Sequence, residues 1–260
     1  WGTSFTNTIF RSTDGGLIWS YIHQQDSTGR RLPRYLSVAY TTINTIMACG
    51  DSGIFVRTTD GGSSWKTTRI ASRHKLNKIT MLNPQHGIIQ AVGPNPEYIL
   101  ATSDSGATWD SIAVPLPPTW PYGTMESSAI PAPNVFMCAI YYKDSTAIAY
   151  SSDRGETWEY LYNTPSSKYA RFFFLDSLNG WMSSGRLRPD NQLIDIIVRT
   201  YDGGRTWHPL FDSLIPPGYG YGISDLSFTD SLHGLAVGGD KVLRTTDGGS
   251  TWKRETLDFE

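Results

Sequence analysis

The sequence is poor in cysteine, in long apolar runs and in net charge. Its two cysteines, Cys49 and Cys138, are too few for a disulfide framework or a multi-cysteine zinc site. Both lie in apolar, strand-like runs, ACGD and FMCAI, where buried free thiols are expected. No stretch approaches the ~18 consecutive apolar residues that a membrane-spanning helix needs. The 22 Lys and Arg against 24 Asp and Glu leave a formal charge of −2, without the basic excess of a non-specific nucleic-acid binder. A local basic patch remains compatible with that balance. Amphipathic helical segments between strands are also missing, which argues against a doubly wound α/β fold. The five histidines (His23, His74, His86, His208 and His233) are scattered, with no His-Glu-x-x-His spacing. No Gly-x-Ser-x-Gly elbow and no P-loop occur, so neither a cofactor nor a metal is expected. The N-terminus, WGTSFTNTIF, has no charged segment leading into an apolar one, and no signal peptide is visible.

What the sequence has in abundance is aromatic side chains and a repeat. Nine Trp, fourteen Tyr and ten Phe supply a large apolar core. Six segments share the pattern Ser/Thr-x-Asp-x-Gly-x-x-Trp: STDGGLIW (12–19), TTDGGSSW (58–65), TSDSGATW (102–109), SSDRGETW (151–158), TYDGGRTW (200–207) and TTDGGSTW (245–252). Their aspartates, Asp14, Asp60, Asp104, Asp153, Asp202 and Asp247, recur every 44–49 residues. Each box has the chemistry of a tight hairpin. The Asp carboxylate can accept backbone N–H bonds a few residues on, and the hydroxyl two residues before it can bond locally. Gly two residues after Asp supplies a positive φ. The tryptophans Trp19, Trp65, Trp109, Trp158, Trp207 and Trp252 enter the next strand and can fold back under the turn. Nothing in the box activates a nucleophile, so these twelve residues read as structural.

A second phrase precedes some boxes: FLDSLNGWMSSG (174–185), FTDSLHGLAVGG (228–239) and MLNPQHGIIQAVG (81–93). His86 and His233 share one position of this turn, which marks them as turn residues. With these phrases a repeat unit reads as four short strands, in the last unit ISDLSF, LAVGG, KVLRTT and TWKRETL. Four strands every ~45 residues predict an all-β propeller. Six blades are represented, in a closed ring of six or seven. Trp1 aligns with Trp181 and Leu235, the first residues after the turn Gly, so the first blade lacks its initial strand. The reading is one propeller domain over 1–260, expected to be a fragment of a longer chain.

The boxes resemble the Asp-box, or BNR, repeat of sialidases, glycan hydrolases and sortilin-type receptors. Combined with the F-x-D-x-x-x-G phrase, the chain is most similar to the photosystem II stability/assembly factor-like family of cyanobacteria and chloroplasts, whose members are seven-bladed propellers. The resemblance implies a non-catalytic protein that binds a partner and assembles, stabilises or scaffolds a larger complex. It also implies a location outside the cytoplasm, whether periplasmic, cell-surface or secreted.

Loops opposite the box turns are the expected binding face. HQQDSTGRRLPRY carries Arg30, Arg31 and Arg34, and TTRIASRHKLNK carries Arg69, Arg73, His74, Lys75 and Lys78. Arg171, Arg186 and Arg188 extend this basic set. VPLPPTWPYG and LIPPGYGYG contribute Trp120, Tyr122, Tyr219 and Tyr221 in proline-stiffened loops, where ordering costs little on binding. An acidic protein surface, or an anionic glycan, suits this mixture, and no nucleic acid is expected. The alternative reading is a secreted glycan-binding or glycoside-hydrolysing module. Its candidate carboxylates are Glu126 and Asp225, both near the starts of innermost strands. A sialidase Arg-Ile-Pro motif precedes the first box, whereas the nearest string here, Arg31-Leu32-Pro33, follows it. Enzymatic activity is therefore not the preferred expectation.

Overall fold

The computed structural model describes the chain except residues 4–7, 25–33, 72–73, 95, 144, 166, 188–192, 215–222, 239–240 and 256–260. Side chains at 23–24, 162–165, 167–169, 186–187, 193 and 211–214 also lie outside the description. The described residues form antiparallel sheets and one 3-10 turn, η1 (Asp51–Gly53). This is the all-β propeller-blade architecture that the repeat predicts.

Two compact units are present, Trp1–Val114 and Pro115–Glu260. In the first unit, a three-stranded sheet contains β1 (Gly2–Thr3), β2 (Thr8–Arg11) and β3 (Ser20–Gln24). The second sheet is β4 (Tyr35–Tyr40), β5 (Ile46–Gly50), β6 (Ile54–Thr58) and β7 (Lys66–Arg69). The third is β8 (Lys75–Met81), β9 (Gly87–Val92), β10 (Tyr98–Thr102) and β11 (Asp110–Ala113).

The second unit holds three four-stranded sheets. The fourth sheet comprises β12 (Thr124–Ala132), β13 (Val135–Tyr142), β14 (Ser145–Ser151) and β15 (Glu159–Pro165). The fifth comprises β16 (Ser167–Phe174), β17 (Gly180–Leu187), β18 (Leu193–Thr200) and β19 (His208–Leu214). The sixth comprises β20 (Asp225–Phe228), β21 (Gly234–Gly238), β22 (Lys241–Thr245) and β23 (Lys253–Glu255). All pair in chain order, as successive hairpins must.

The cores lie between neighbouring sheets. Within the first unit, Ile9, Tyr35, Ala48, Ile54 and Val56 join the first sheet to the second, and Met47, Phe55, Leu76, Ile79 and Ile89 join the second to the third. Within the second unit, Met137, Ile148, Phe172, Met182 and Val198 join the fourth sheet to the fifth. Trp181, Ile197, Leu226, Phe228 and Leu243 join the fifth to the sixth, with the Trp181 and Phe228 rings stacked 3.7 Å apart. The second sheet is covered on both faces, and its second strand reads as an unbroken apolar run, IMACG in β5; FMCAI in β13 is likewise buried throughout. The two cysteines are buried free thiols in these strands, and burial pushes the Cys49 thiol well above its ordinary range.

The box hairpins follow the predicted chemistry and add to it. In every box the Ser or Thr hydroxyl donates to the Asp Oδ1, at 2.6–2.9 Å, and accepts the N–H of the Gly two residues past Asp, at 2.8–3.0 Å. Asp Oδ1 also accepts the N–H four residues on, as in Ser64 at 2.9 Å and Thr251 at 2.9 Å. Trp19, Trp65, Trp158 and Trp252 donate their indole N–H back to the box glycine carbonyl at 2.9–3.2 Å. The residue directly after Asp is left-handed as well, including Ser105 (φ 62) and Arg154 (φ 64), which the pattern alone does not reveal. That conformation turns its N–H toward the carbonyl of the preceding turn of the same sheet. Gly61 donates to Asn44, Ser105 to Gln85, Arg154 to Asn134, Gly203 to Leu178 and Gly248 to Leu232, at 2.8–3.0 Å. Each four-stranded sheet therefore has its first and third turns bonded together at one end.

The box carboxylates are acid-sensitive. Hydroxyl and backbone donors from Thr157 hold the Asp153 carboxyl down at about 2, and those of Thr251 do the same for Asp247. Their unfolded value is near ~3.9, so they stabilise the fold fully above about pH 4 and lose that contribution as pH falls through about 2. Acid titration followed by circular dichroism is expected to show a loss of structure that begins in this window. Asp153→Asn and Asp247→Asn should each make its acid limb shallower.

Candidate functional site

Two clusters of predicted binding residues can be placed, one in each unit. The first surrounds the hairpin between β5 and β6. Ser52 (φ 57) and Gly53 (φ 70) make a left-handed corner there. The backbone comes so close that a Cβ on Gly53 would lie 1.8 Å from the Ala71 carbonyl oxygen, and one on Gly50 would lie 1.7 Å from that of Arg34. Arg34 Nε donates to Asp51 Oδ2 at 3.0 Å, while the Asp51 N–H donates to the Arg34 carbonyl at 2.9 Å. Arg69 Nη1 donates to the Ser52 carbonyl at 2.8 Å. These bonds hold two predicted arginines on one corner. The corner packs against β8, which begins at the exposed Lys75 and contains the half-buried Lys78. His74 is held by the Pro94 carbonyl at 3.0 Å and by the Tyr98 ring at 4.3 Å.

The result is a cationic corner with one internal counter-charge. Asp51 neutralises Arg34, whereas Arg69, among the described residues, is bonded only to a carbonyl and keeps its charge. Asp51 was not a sequence candidate, and its only signal is the Cys-Gly-Asp-Ser-Gly string at a hairpin corner.

The second cluster is aromatic and belongs to the fourth sheet. Trp120 and Tyr122 both pack on Tyr142, with ring centroids 5.4 and 4.8 Å apart. The Trp120 N–H closes a turn onto the Pro117 carbonyl at 2.8 Å, so the proline-rich loop is locally ordered as its composition suggests. Tyr142 and Lys143, whose ammonium lies 5.1 Å from the Tyr142 ring centroid, complete the cluster. Neither stood out in sequence, because YYKD reads as an ordinary hairpin.

The other candidates have different roles. Arg171 faces inward, donating from Nη1 to the Glu126 and Ala170 carbonyls at 3.0 and 2.9 Å, and lies 3.7 Å from the Glu126 carboxylate. A bulge between Met125 and Ser127 takes Glu126 out of the pairing register and presents it to that arginine. The first proposed carboxylate is therefore half of an ion pair between sheets. Asp225, the second, is exposed and accepts the N–H of Leu226 at 3.0 Å. Arg30, Arg31, Arg73, Arg188, Tyr219 and Tyr221 lie outside the described residues, as does the Arg186 side chain. Among the described residues, no cluster of His, Cys, Asp and Glu could hold a metal ion, and no helix is long and apolar enough to cross a membrane.

Sequence reasoning also missed a buried ion pair. Asp195 on β18 is fully buried, accepts the Ile223 N–H at 3.0 Å and pairs with Lys241 at the start of β22. It joins the fifth sheet to the sixth in the second unit.

Comparison with known proteins agrees with this architecture. The chloroplast photosystem II stability/assembly factor HCF136 of Arabidopsis thaliana is 24% identical over 273 residues, covering 79% of this chain. The chain spans 63% of the length of that relative. A solved YCF48 bound to D1 peptide is 19% identical, with 85% of this chain and 82% of that chain covered and a TM-score of 0.44. The structure of U3-55K is 10% identical over 82% of this chain and 63% of that one, with a TM-score of 0.56, a likeness of fold alone. The family model described as photosynthesis system II assembly factor YCF48 matches residues 26–171, which is 146 of 260 positions and includes the cationic corner. The chain belongs to the YCF48 assembly-factor family.

Proposed function

We propose that this chain is a non-catalytic, protein-binding propeller that assists assembly or stabilisation of a larger complex outside the cytoplasm. The observation that carries this reading is the cationic corner of Arg34, Arg69, Lys75 and Lys78 around Asp51–Gly53, within the segment matched by the family model. A rigid corner with unneutralised cations suits an acidic segment of a partner protein, which it would steer by charge and hold by hydrogen bonds. The relative solved with a D1 peptide supports a peptide-like ligand. Family membership and the pairing of Glu126 with Arg171 both favour this role over glycoside hydrolysis.

The test is co-purification from the native source at low and moderate salt, with wild type beside Arg69→Glu/Lys75→Glu/Lys78→Glu. Arg34 is left intact because it closes the hairpin. Loss of one specific partner in both the high-salt and the charge-reversed samples is the expected result, with affinity reduced roughly tenfold or more. Partners retained in full by the reversed variant would rule out the corner as the site.

A further inference from the structure

The first box departs from the other five at its tip. The third and fourth residues after Asp are exposed in all six boxes, so exposure there belongs to the turn itself. In five boxes these positions hold Ser63 and Ser64, Ala107 and Thr108, Glu156 and Thr157, Arg205 and Thr206, and Ser250 and Thr251. The fourth residue then donates its hydroxyl to the second Asp oxygen, from Ser64, Thr108, Thr157, Thr206 and Thr251. The first box has Leu17 and Ile18 instead, 86% and 71% exposed, and Ile18 cannot make that bond. Trp19 and Tyr21 beside them are 48% and 73% exposed. A hydrogen bond made in every other box is thus given up for an aliphatic side chain in water.

We propose that the tip of the first box is a membrane-surface contact, with Leu17 and Ile18 entering the apolar boundary of a neutral lipid bilayer. The most exposed residues are aliphatic, and a Trp and a Tyr flank them, the ring types that occupy the headgroup level. The four exposed side chains fall short of the ~800 Å² per partner that a stable protein interface buries, which disfavours a second copy or a protein partner. Lipid demands no shape complementarity, and weak reversible binding scales with the apolar area buried. The described charged groups of this hairpin, Arg11 and Asp14, are of opposite sign, so they give lipid charge no net attraction.

The test is flotation of the protein with phosphatidylcholine vesicles at low and high salt. Wild type is expected to float at both, and Leu17→Ser/Ile18→Thr to bind roughly tenfold or more weakly. Ile18→Thr restores the hydroxyl donor to Asp14, so its melting temperature should equal or exceed that of wild type, which separates lost binding from lost folding. Failure of wild type to float, or equal flotation of the double variant, overturns the proposal. Flotation only with anionic vesicles and abolished by salt would assign binding to the basic side chains, which also overturns it. So would a concentration-dependent dimer in place of flotation that the double variant abolishes.

Discussion

Lys241→Met is expected to destabilise the chain by about 3–5 kcal/mol, read as a lowered midpoint in urea unfolding. Its partner Asp195 is wholly buried on β18 and has one other described donor, the Ile223 N–H at 3.0 Å. Without the ammonium, a carboxylate remains in the interface between the fifth and sixth sheets with its second oxygen unserved. The reverse change is milder. Asp195→Asn keeps an acceptor for Ile223, and the Lys241 side chain is 15% exposed and can turn its charge toward water. The order of the two losses is thus a sharper test than either value. Replacing both with apolar residues of similar volume should recover much of the stability, because two desolvated charges are removed together. Equal losses from both single variants would mean that Asp195 is not buried as described.

Gly53→Ala is expected to cost about 3 kcal/mol or more and to weaken partner binding along with stability. Two effects add at this site. The backbone is left-handed, which penalises an alanine by roughly 1–2 kcal/mol. The new methyl would also lie 1.8 Å from the Ala71 carbonyl oxygen, so the chain before Lys75 must move. Gly15→Ala supplies the control, since Gly15 has a similar φ of +76 and nothing within 4 Å of its would-be Cβ. Only the conformational penalty applies there, and a loss near 1 kcal/mol is expected. Thermal melts of the two variants compare the steric effect directly. Binding measured beside them reports whether the corner of Arg34 and Arg69 holds the functional geometry.

The sequence by itself determined the hairpins. Asp, hydroxyl, Gly and Trp act within eight residues, so the boxes carry their own hydrogen bonds and announce themselves in any strand context. The apolar runs IMACG and FMCAI around Cys49 and Cys138 announced buried strands. Tertiary structure decided what lies between sheets. Asp195 and Lys241 are 46 positions apart, as nearly as one repeat, and nothing in either local string selects the other. Arg171 and Arg69 stood in the same basic set by composition. Packing turned the first toward the Glu126 carbonyl and left the second on a solvent-facing corner. The tip of the first box is divided in the same way. Leu17 and Ile18 are visible in the sequence as a departure from the repeat, but only the fold shows that this position faces water in every box. Local chemistry fixes a turn, whereas burial and pairing depend on which sheet the repeat brings alongside.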